Sequence, residues 1–289
     1  MNAKHLEDRF IQYARLMRLE RPIGSFLLLW PTLWALWIAG DGLPRESVVV
    51  VFVLGVFLMR SAGCVANDIA DRRFDPHVER TKTRPLAAGK VSVREALWLF
   101  IGLCLASFAL VLTQNTLTIA MSFVGVVLAA CYPLMKRWHH LPQVVLGMAF
   151  GWGIPMAFTA QQQQVPLVGW LLFLSNVIWS VIYDTMYAMA DREDDLKIGV
   201  KSTAILFGRR DRQIIGILQC LFFALLLWIG VLAGLGCVYY FGVFAGVWFA
   251  LWEQYLIRHR DPHASFRAFL NNNWIGLSVF AGLLVDSLP

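Results

Sequence analysis

Charge is what this sequence has little of. Only 15% of its 289 residues are Asp, Glu, Lys or Arg, against 58% that are hydrophobic, whereas soluble domains carry about 25% charge. That balance excludes an ordinary water-soluble domain and reads as an integral membrane protein. Histidine and cysteine patterns for metal are missing too. Cys64, Cys104, Cys131, Cys220 and Cys237 are scattered through apolar stretches with no CxxC, so they read as small buried hydrophobes. The six histidines show no ligand spacing, and His139 and His140 are neighbours in a polar turn. With no GxxxxGK[ST] and no GxGxxG, a nucleotide P-loop is not expected. Nor is a cleavable signal peptide, because the first 22 residues are polar and no small-residue cleavage site follows the first apolar run.

What is abundant is the long apolar run. A spanning helix needs about 17–25 mostly apolar residues, and the sequence predicts nine, near 23–39, 48–66, 95–112, 117–134, 142–158, 165–190, 213–232, 235–256 and 268–287. Connections as short as 113–116 and 233–236 allow only tight hairpins, which predicts one all-α transmembrane bundle over 1–289 with a central cavity. Of the 25 Lys and Arg, 23 fall in the N-terminal segment and the even-numbered connections. The positive-inside rule then puts the N-terminus in the cytoplasm and the C-terminus in the periplasm of a bacterial inner membrane. The basic excess is thereby explained by topology, and no nucleic-acid partner is expected.

Two acidic stretches stand out on that basic side. Residues 67–89, NDIADRRFDPHVERTKTRPLAAG, hold four acids and five bases. Asn67, Asp71 and Asp75 are four apart, which on a continuing helix makes one ridge, with Pro76 marking its end. In YDTMYAMADREDDLKIGVKS, Asp191 and Asp195 repeat that step, with Asp194 on much the same face. Asp71 to Asp191 and Asp75 to Asp195 are each 120 residues, and bases follow both: Arg80, Lys82 and Arg84, then Lys197 and Lys201. The pattern reads as a loose internal duplication, in which each half supplies one wall of a site. Like charges at i,i+4 repel, so a cation is expected to gather them. Mg²⁺ suits one or two carboxylates completed by water and substrate phosphate, with Arg and Lys gripping the same phosphate. A calcium loop starting at Asp191 fits badly, because its glycine position is Leu196 and its closing glutamate position is Ser202. Solvated juxtamembrane charge explains one such motif as well as function does; two matched motifs favour a diphosphate site.

A diphosphate site at a membrane mouth points to a lipid diphosphate. Metal and bases would stabilise the departing diphosphate, and the allylic cation left behind needs a dry, aromatic-lined cavity. Most of the 12 Trp, 20 Phe and 7 Tyr serve packing and lipid contact. Tyr183 and Tyr187, at helical spacing before the second motif, are the expected cavity wall. Arg60 lies inside the second apolar run, seven residues before Asn67. An intramembrane Arg is costly and marks function by default. It is expected to bind an acceptor's carboxylate, against the plainer roles of salt bridge or snorkelling.

NDIADRRFD with RTKTRPLAAG, then YDTMYAMADREDDLKIGVKSTAILFG, resembles the UbiA superfamily of intramembrane prenyltransferases. RLERPIGSFLLLWPTLWAL at 18–36, YPLMKR at 132–137, LPQVVLGMAFGWGIPMAF at 141–158 and NNNWIG at 271–276 extend the likeness over nearly the whole chain. The subgroup resembled most acts on 4-hydroxybenzoate in ubiquinone biosynthesis. The resemblance implies a nine-helix bundle open laterally to lipid, with Asn67, Asp71, Asp75, Asp191 and Asp195 holding Mg²⁺ and diphosphate. It also implies Arg72, Lys82, Arg137 and Lys201 as diphosphate grips. The implied partners are a polyprenyl diphosphate and 4-hydroxybenzoate, joined at the ring carbon ortho to the hydroxyl. Asp191, water and released diphosphate all stand open as the acceptor of the ring proton.

Three other readings compete with this one. A transporter also uses repeated halves, but the acids gather at one mouth with nothing comparable opposite. A CDP-alcohol phosphotransferase lacks its glycine-studded DG…AR…G pattern here. Within prenyltransferases, haem, chlorophyll and dihydroxynaphthoate acceptors compete. The QQQQ run at 161–164 reads as a short external loop with no role beyond solubility. Prenyl chain length and oligomeric state are not legible.

Overall fold

A computed structural model describes residues 3–73, 75–77 and 81–288, without the side chains of 3–6, 77, 134, 136, 137 and 198. All regular structure among the described residues is helical. The helices are α1 (Ala3–Leu16), α2 (Ile23–Ala39), α3 (Glu46–Asp71), α4 (Val93–Val111), α5 (Thr116–Trp138), α6 (Pro142–Gly151), α7 (Gly153–Gln162), α8 (Leu167–Ile198), α9 (Thr203–Phe207), α10 (Asp211–Leu232), α11 (Cys237–Leu256) and α12 (Pro262–Asp286).

Among the described residues seven helical segments are long and apolar enough to cross a membrane: Glu46–Asp71, Val93–Val111, Thr116–Pro133, Pro142–Gln162, Leu167–Lys197, Thr203–Leu232 and Pro262–Asp286. The other two expected spans are also helical, α2 as a shorter apolar helix of 17 residues and α11 as a 20-residue one. Along their outer faces Trp98, Leu105, Val127, Trp228, Phe241 and Trp248 are exposed, as side chains meeting lipid are.

Local sequence explains the boundaries. The Ser92 side chain accepts from the Glu95 amide while the Glu95 carboxylate accepts from Ser92 N, a capping box that starts α4. Asn115 caps α5 and Asp261 caps α12, the latter with Pro262 as its first residue. The apolar run at 142–162 divides near Trp152, because Pro155 has no amide for the Gly151 carbonyl and its ring crowds that group.

Both acid-bearing helices outrun their apolar stretches: α3 continues to Asp71 and α8 to Ile198. One expectation fails here. Asp75 does not share a ridge with Asn67 and Asp71, because α3 stops at Asp71 and Asp75 opens a separate 3₁₀ turn, Asp75–His77. Pro76 is the cause: it disfavours helical geometry at Asp75, and it cannot donate back to residue 72. The second pair, Asp191 and Asp195, does lie on one continuous helix.

The chain divides into two compact units, residues 1–25 with 53–113, and residues 26–52 with 114–289. In the first, Leu16, Val65, Leu86, Val91 and Ala96 form a buried cluster that joins α1, the end of α3 and the start of α4. In the second, α8 packs against α6, α10 and α12, and α11 lies along α12. The α11–α12 approach is backbone on backbone. A Cβ at Gly242 would come within 2.5 Å of the Ser278 carbonyl oxygen and 2.9 Å of Gly282 Cα, the small-residue packing by which membrane helices approach closely.

Candidate functional site

The first unit carries the first acidic cluster. Asp71 at 7% exposure and Asp75 at 6% are both buried. Arg84 holds Asp75 through Nη1, at 3.1 Å from Oδ1 and 2.9 Å from Oδ2. The Thr81 hydroxyl donates to the Asp75 carbonyl at 2.9 Å. Burial raises the Asp75 carboxyl above its ordinary range, with Arg84 opposing.

Asn67 bears on the metal most directly. Its side-chain Oδ1 is buried and accepts no hydrogen bond among the described residues. A buried acceptor without a donor is costly, and a hard cation meets that deficit by taking oxygen. The residues present therefore fit Mg²⁺: Asn67, with Asp71 one turn on. Among the described residues no three His, Cys, Asp or Glu side chains gather into a ready-made metal cage. Mg²⁺ held by one or two side-chain oxygens takes phosphate and water to complete its shell.

Sequence reasoning passed over Asp68. It is 1% exposed and takes Arg18 Nη2 on both oxygens, at 2.8 and 3.1 Å, and Arg84 Nη1 at 3.2 Å. Arg84 thus bridges Asp68 and Asp75, tying the end of α3 to the 3₁₀ turn. The one available signal is position: a residue beside Asn67 points about 100° round the helix from it, off the ridge and toward Arg18 in the turn after α1.

Arg60 lies on α3, two turns before Asn67. Its Nη1 donates to Cys64 Sγ at 2.9 Å, and its guanidinium lies against the backbone of Gly24 in α2. A Cβ built at Gly24 would stand 2.4 Å from Nη2, 2.7 Å from Nε and 2.9 Å from Cζ. Gly24, within the RPIG of the first apolar run, is thus a second residue the sequence reading did not single out. Of the expected grips in this unit, Arg72 is exposed and donates from Nη1 to the Ile69 carbonyl at 3.0 Å, and Lys82 is exposed. Arg80 lies outside the described residues.

In the second unit, α8 carries Trp179, Tyr183, Tyr187, Asp191 and Asp195 at four-residue steps, one row on the helix surface. Tyr183 is 2% exposed, set edge-on to Trp179 and Phe269 at centroid distances of 5.5 and 6.2 Å. Half-buried Tyr187 meets Phe269 at 5.0 Å and Phe266 at 6.0 Å. The aromatic row runs directly into the acidic one, and Trp179 belongs to it although the sequence reading stopped at Tyr183. Asp191 and Asp195 are half-buried. Asp194 pairs with Lys197 Nζ at 3.1 Å. Gly199, in left-handed backbone at φ 70°, ends the helix. Lys201 Nζ donates to the Trp138 carbonyl at 3.0 Å, where a cation suits the C-terminal end of α5. The Arg137 side chain lies outside the described residues.

The model of the UbiA prenyltransferase family matches residues 28–276. A 4-hydroxybenzoate octaprenyltransferase of Alkalilimnicola ehrlichii is 62% identical over 286 residues, covering 99% of this chain and 98% of that protein. The apo structure of a UbiA homologue from Aeropyrum pernix K1 superposes with a TM-score of 0.80 at 24% identity, covering 91% of this chain and 98% of that one. A UbiA homologue from Archaeoglobus fulgidus bound to GPP and Mg²⁺ gives 0.71 at 19% identity, covering 93% and 99%. The all-helical fold, the acid-tipped helices and near-full-length identity at this level lead to one statement: this chain belongs to the UbiA prenyltransferase family.

Proposed function

We infer that this protein transfers a polyprenyl chain from a polyprenyl diphosphate to 4-hydroxybenzoate with the help of Mg²⁺, releasing diphosphate. The observation that carries the reading is the 62% identity, over nearly the full length of both chains, to a relative named for that reaction. Naphthoate and other acceptors are correspondingly disfavoured, and so is a transporter.

In this reading Asn67, Asp71, Asp75, Asp191 and Asp195 hold the metal. When bound, Mg²⁺ supplies the charge that stabilises the departing diphosphate. Arg72, Lys82, Arg137 and Lys201 grip its oxygens, and those that now cap backbone carbonyls exchange that partner for phosphate. The allylic carbon–oxygen bond breaks and the electron pair leaves with the diphosphate. The ring faces of Tyr183 and Tyr187 favour the cationic carbon and exclude water. That carbon bonds to the ring carbon ortho to the hydroxyl, and the displaced ring proton passes to Asp191, to water or to diphosphate.

Arg60 takes the acceptor carboxylate. Its guanidinium rests on Gly24, where a larger residue leaves it no room. The nine helices of the bundle span a bacterial inner membrane with both acidic motifs on the cytoplasmic side. Support for that sidedness comes from the 23 of 25 basic residues on alternate connections.

The reading is tested by metal chelation and by Asp71→Ala and Asp191→Ala in purified protein. Turnover is expected to vanish in all three cases while the helical circular-dichroism signal persists. Near-normal rates in folded Asp71→Ala and Asp191→Ala protein would sink the metal assignment.

A further inference from the structure

One fully buried acid in the second unit has no part in this chemistry. Asp211, the first residue of α10, is 0% exposed. Arg260, between α11 and α12, donates from Nε to its two oxygens at 2.9 and 3.2 Å. Arg192 of α8 donates from Nη2 to Oδ2, and the Arg212 amide donates to Oδ1 at 2.6 Å. Arg260, in left-handed backbone at φ 57°, also reaches the Arg209 carbonyl at 2.7 Å. A carboxylate withdrawn from water persists only with a donor set of this quality.

What makes the cluster more than an anchor is where Arg192 stands. It is the residue after Asp191 and three before Asp195, in the last turns of a 32-residue helix. On those turns Glu193, Leu196 and Lys197 are exposed, whereas Arg192 is tied to Asp211. Successive residues on a helix are turned by about 100°, so pinning Arg192 fixes where Asp191 and Asp195 point. Helix ends without such contacts open at little cost.

We propose that Asp211 is a positioning residue for the acidic end of α8, acting through Arg192. The proposal rests on the reading that Asp191 and Asp195 hold Mg²⁺. Supporting residues around metal ligands characteristically change metal affinity or activity by about 10–100-fold when lost, and the pin belongs to that class.

The test compares Arg192→Gln with Arg260→Gln in the full-length purified protein. Each removes one arm of the cluster, but only Arg192→Gln releases α8. Hydrogen–deuterium exchange over residues 191–198, measured without metal or substrate, is expected to speed up in Arg192→Gln and to stay at the parent level in Arg260→Gln. The Mg²⁺ concentration for half-maximal turnover is expected to rise about tenfold in Arg192→Gln alone. Equal loosening by both variants, or none by Arg192→Gln, overturns the proposal. So does a loosened segment with an unchanged Mg²⁺ requirement when Asp191→Ala abolishes turnover. If Asp191→Ala itself turns over normally, it is the metal reading that fails, while the exchange data still decide whether the pin exists. Should Arg192→Gln not fold, Arg192→Lys keeps the charge and loses the planar fork. Intermediate loosening is expected of it, and unchanged exchange overturns the proposal.

Discussion

Side chains of one type divide here by what surrounds them. Asp68 and Asp71 are three residues apart on the same helix and both buried, yet Asp68 is saturated by Arg18 and Arg84 while Asp71 continues the ridge begun by Asn67. Removing one partner of a buried ion pair costs about 3–5 kcal/mol, so Asp68→Ala is expected to lower the thermal unfolding midpoint of detergent-purified protein clearly. Asp71→Ala is expected to remove turnover, and folded Asp71→Ala protein that turns over normally would contradict its place on the metal. Gly24 gives a second contrast. The atoms that its Cβ would strike are the flexible end of Arg60, so Gly24→Ala is expected to fold normally and displace the guanidinium. Its KM for 4-hydroxybenzoate should rise about tenfold, in the same direction as in Arg60→Ala, since a charge-assisted hydrogen bond contributes about 1.5–3 kcal/mol. An unchanged KM in both variants would leave Arg60 a structural residue. The sequence showed Arg60 because charge inside an apolar run is conspicuous. Gly24 stayed hidden because a residue without a side chain reveals its purpose only when its neighbour's position is known.

Among elements, apolar runs were legible and their ends were not. Among the described residues each expected run is helical, the one at 142–158 as two helices meeting near Trp152, and seven segments are long and apolar enough to cross a membrane, as long apolar stretches must be to satisfy their backbone hydrogen bonds in lipid. Helix continuation past an apolar run depends on tertiary contacts, and α3 and α8 both carry acids in such continuations. Four-residue spacing suggested one ridge for Asn67, Asp71 and Asp75, but Pro76 broke it, so spacing alone could not tell a helix from a turn that follows one. The α11–α12 pair gives a prediction at this scale. Gly242 faces backbone atoms that cannot step aside, and overpacking of a close contact costs about 1–3 kcal/mol. Gly242→Ala is therefore expected to lower the unfolding midpoint, whereas Gly55→Ala, where a Cβ meets nothing within 4 Å, is expected not to.

At the scale of the whole molecule, the basic residues report topology. In a variant lacking its native cysteines, a membrane-impermeant thiol reagent on intact cells is expected to label Gln164→Cys, and to reach Lys90→Cys only after the membrane is opened. Labelling in the opposite order would invert the orientation. The proposed topology would put the reaction at a membrane edge, where a charged diphosphate meets water and its polyprenyl tail stays in lipid. The central claim is the transfer itself, and one assay addresses it directly. Membranes containing the protein are given Mg²⁺, a polyprenyl diphosphate and either 4-hydroxybenzoate or dihydroxynaphthoate, and both the prenylated ring and free diphosphate are measured. The account predicts prenylated 4-hydroxybenzoate in equal amount to released diphosphate, lost on chelation of the metal. Product from dihydroxynaphthoate in preference, or no covalent product from either acceptor, would contradict it.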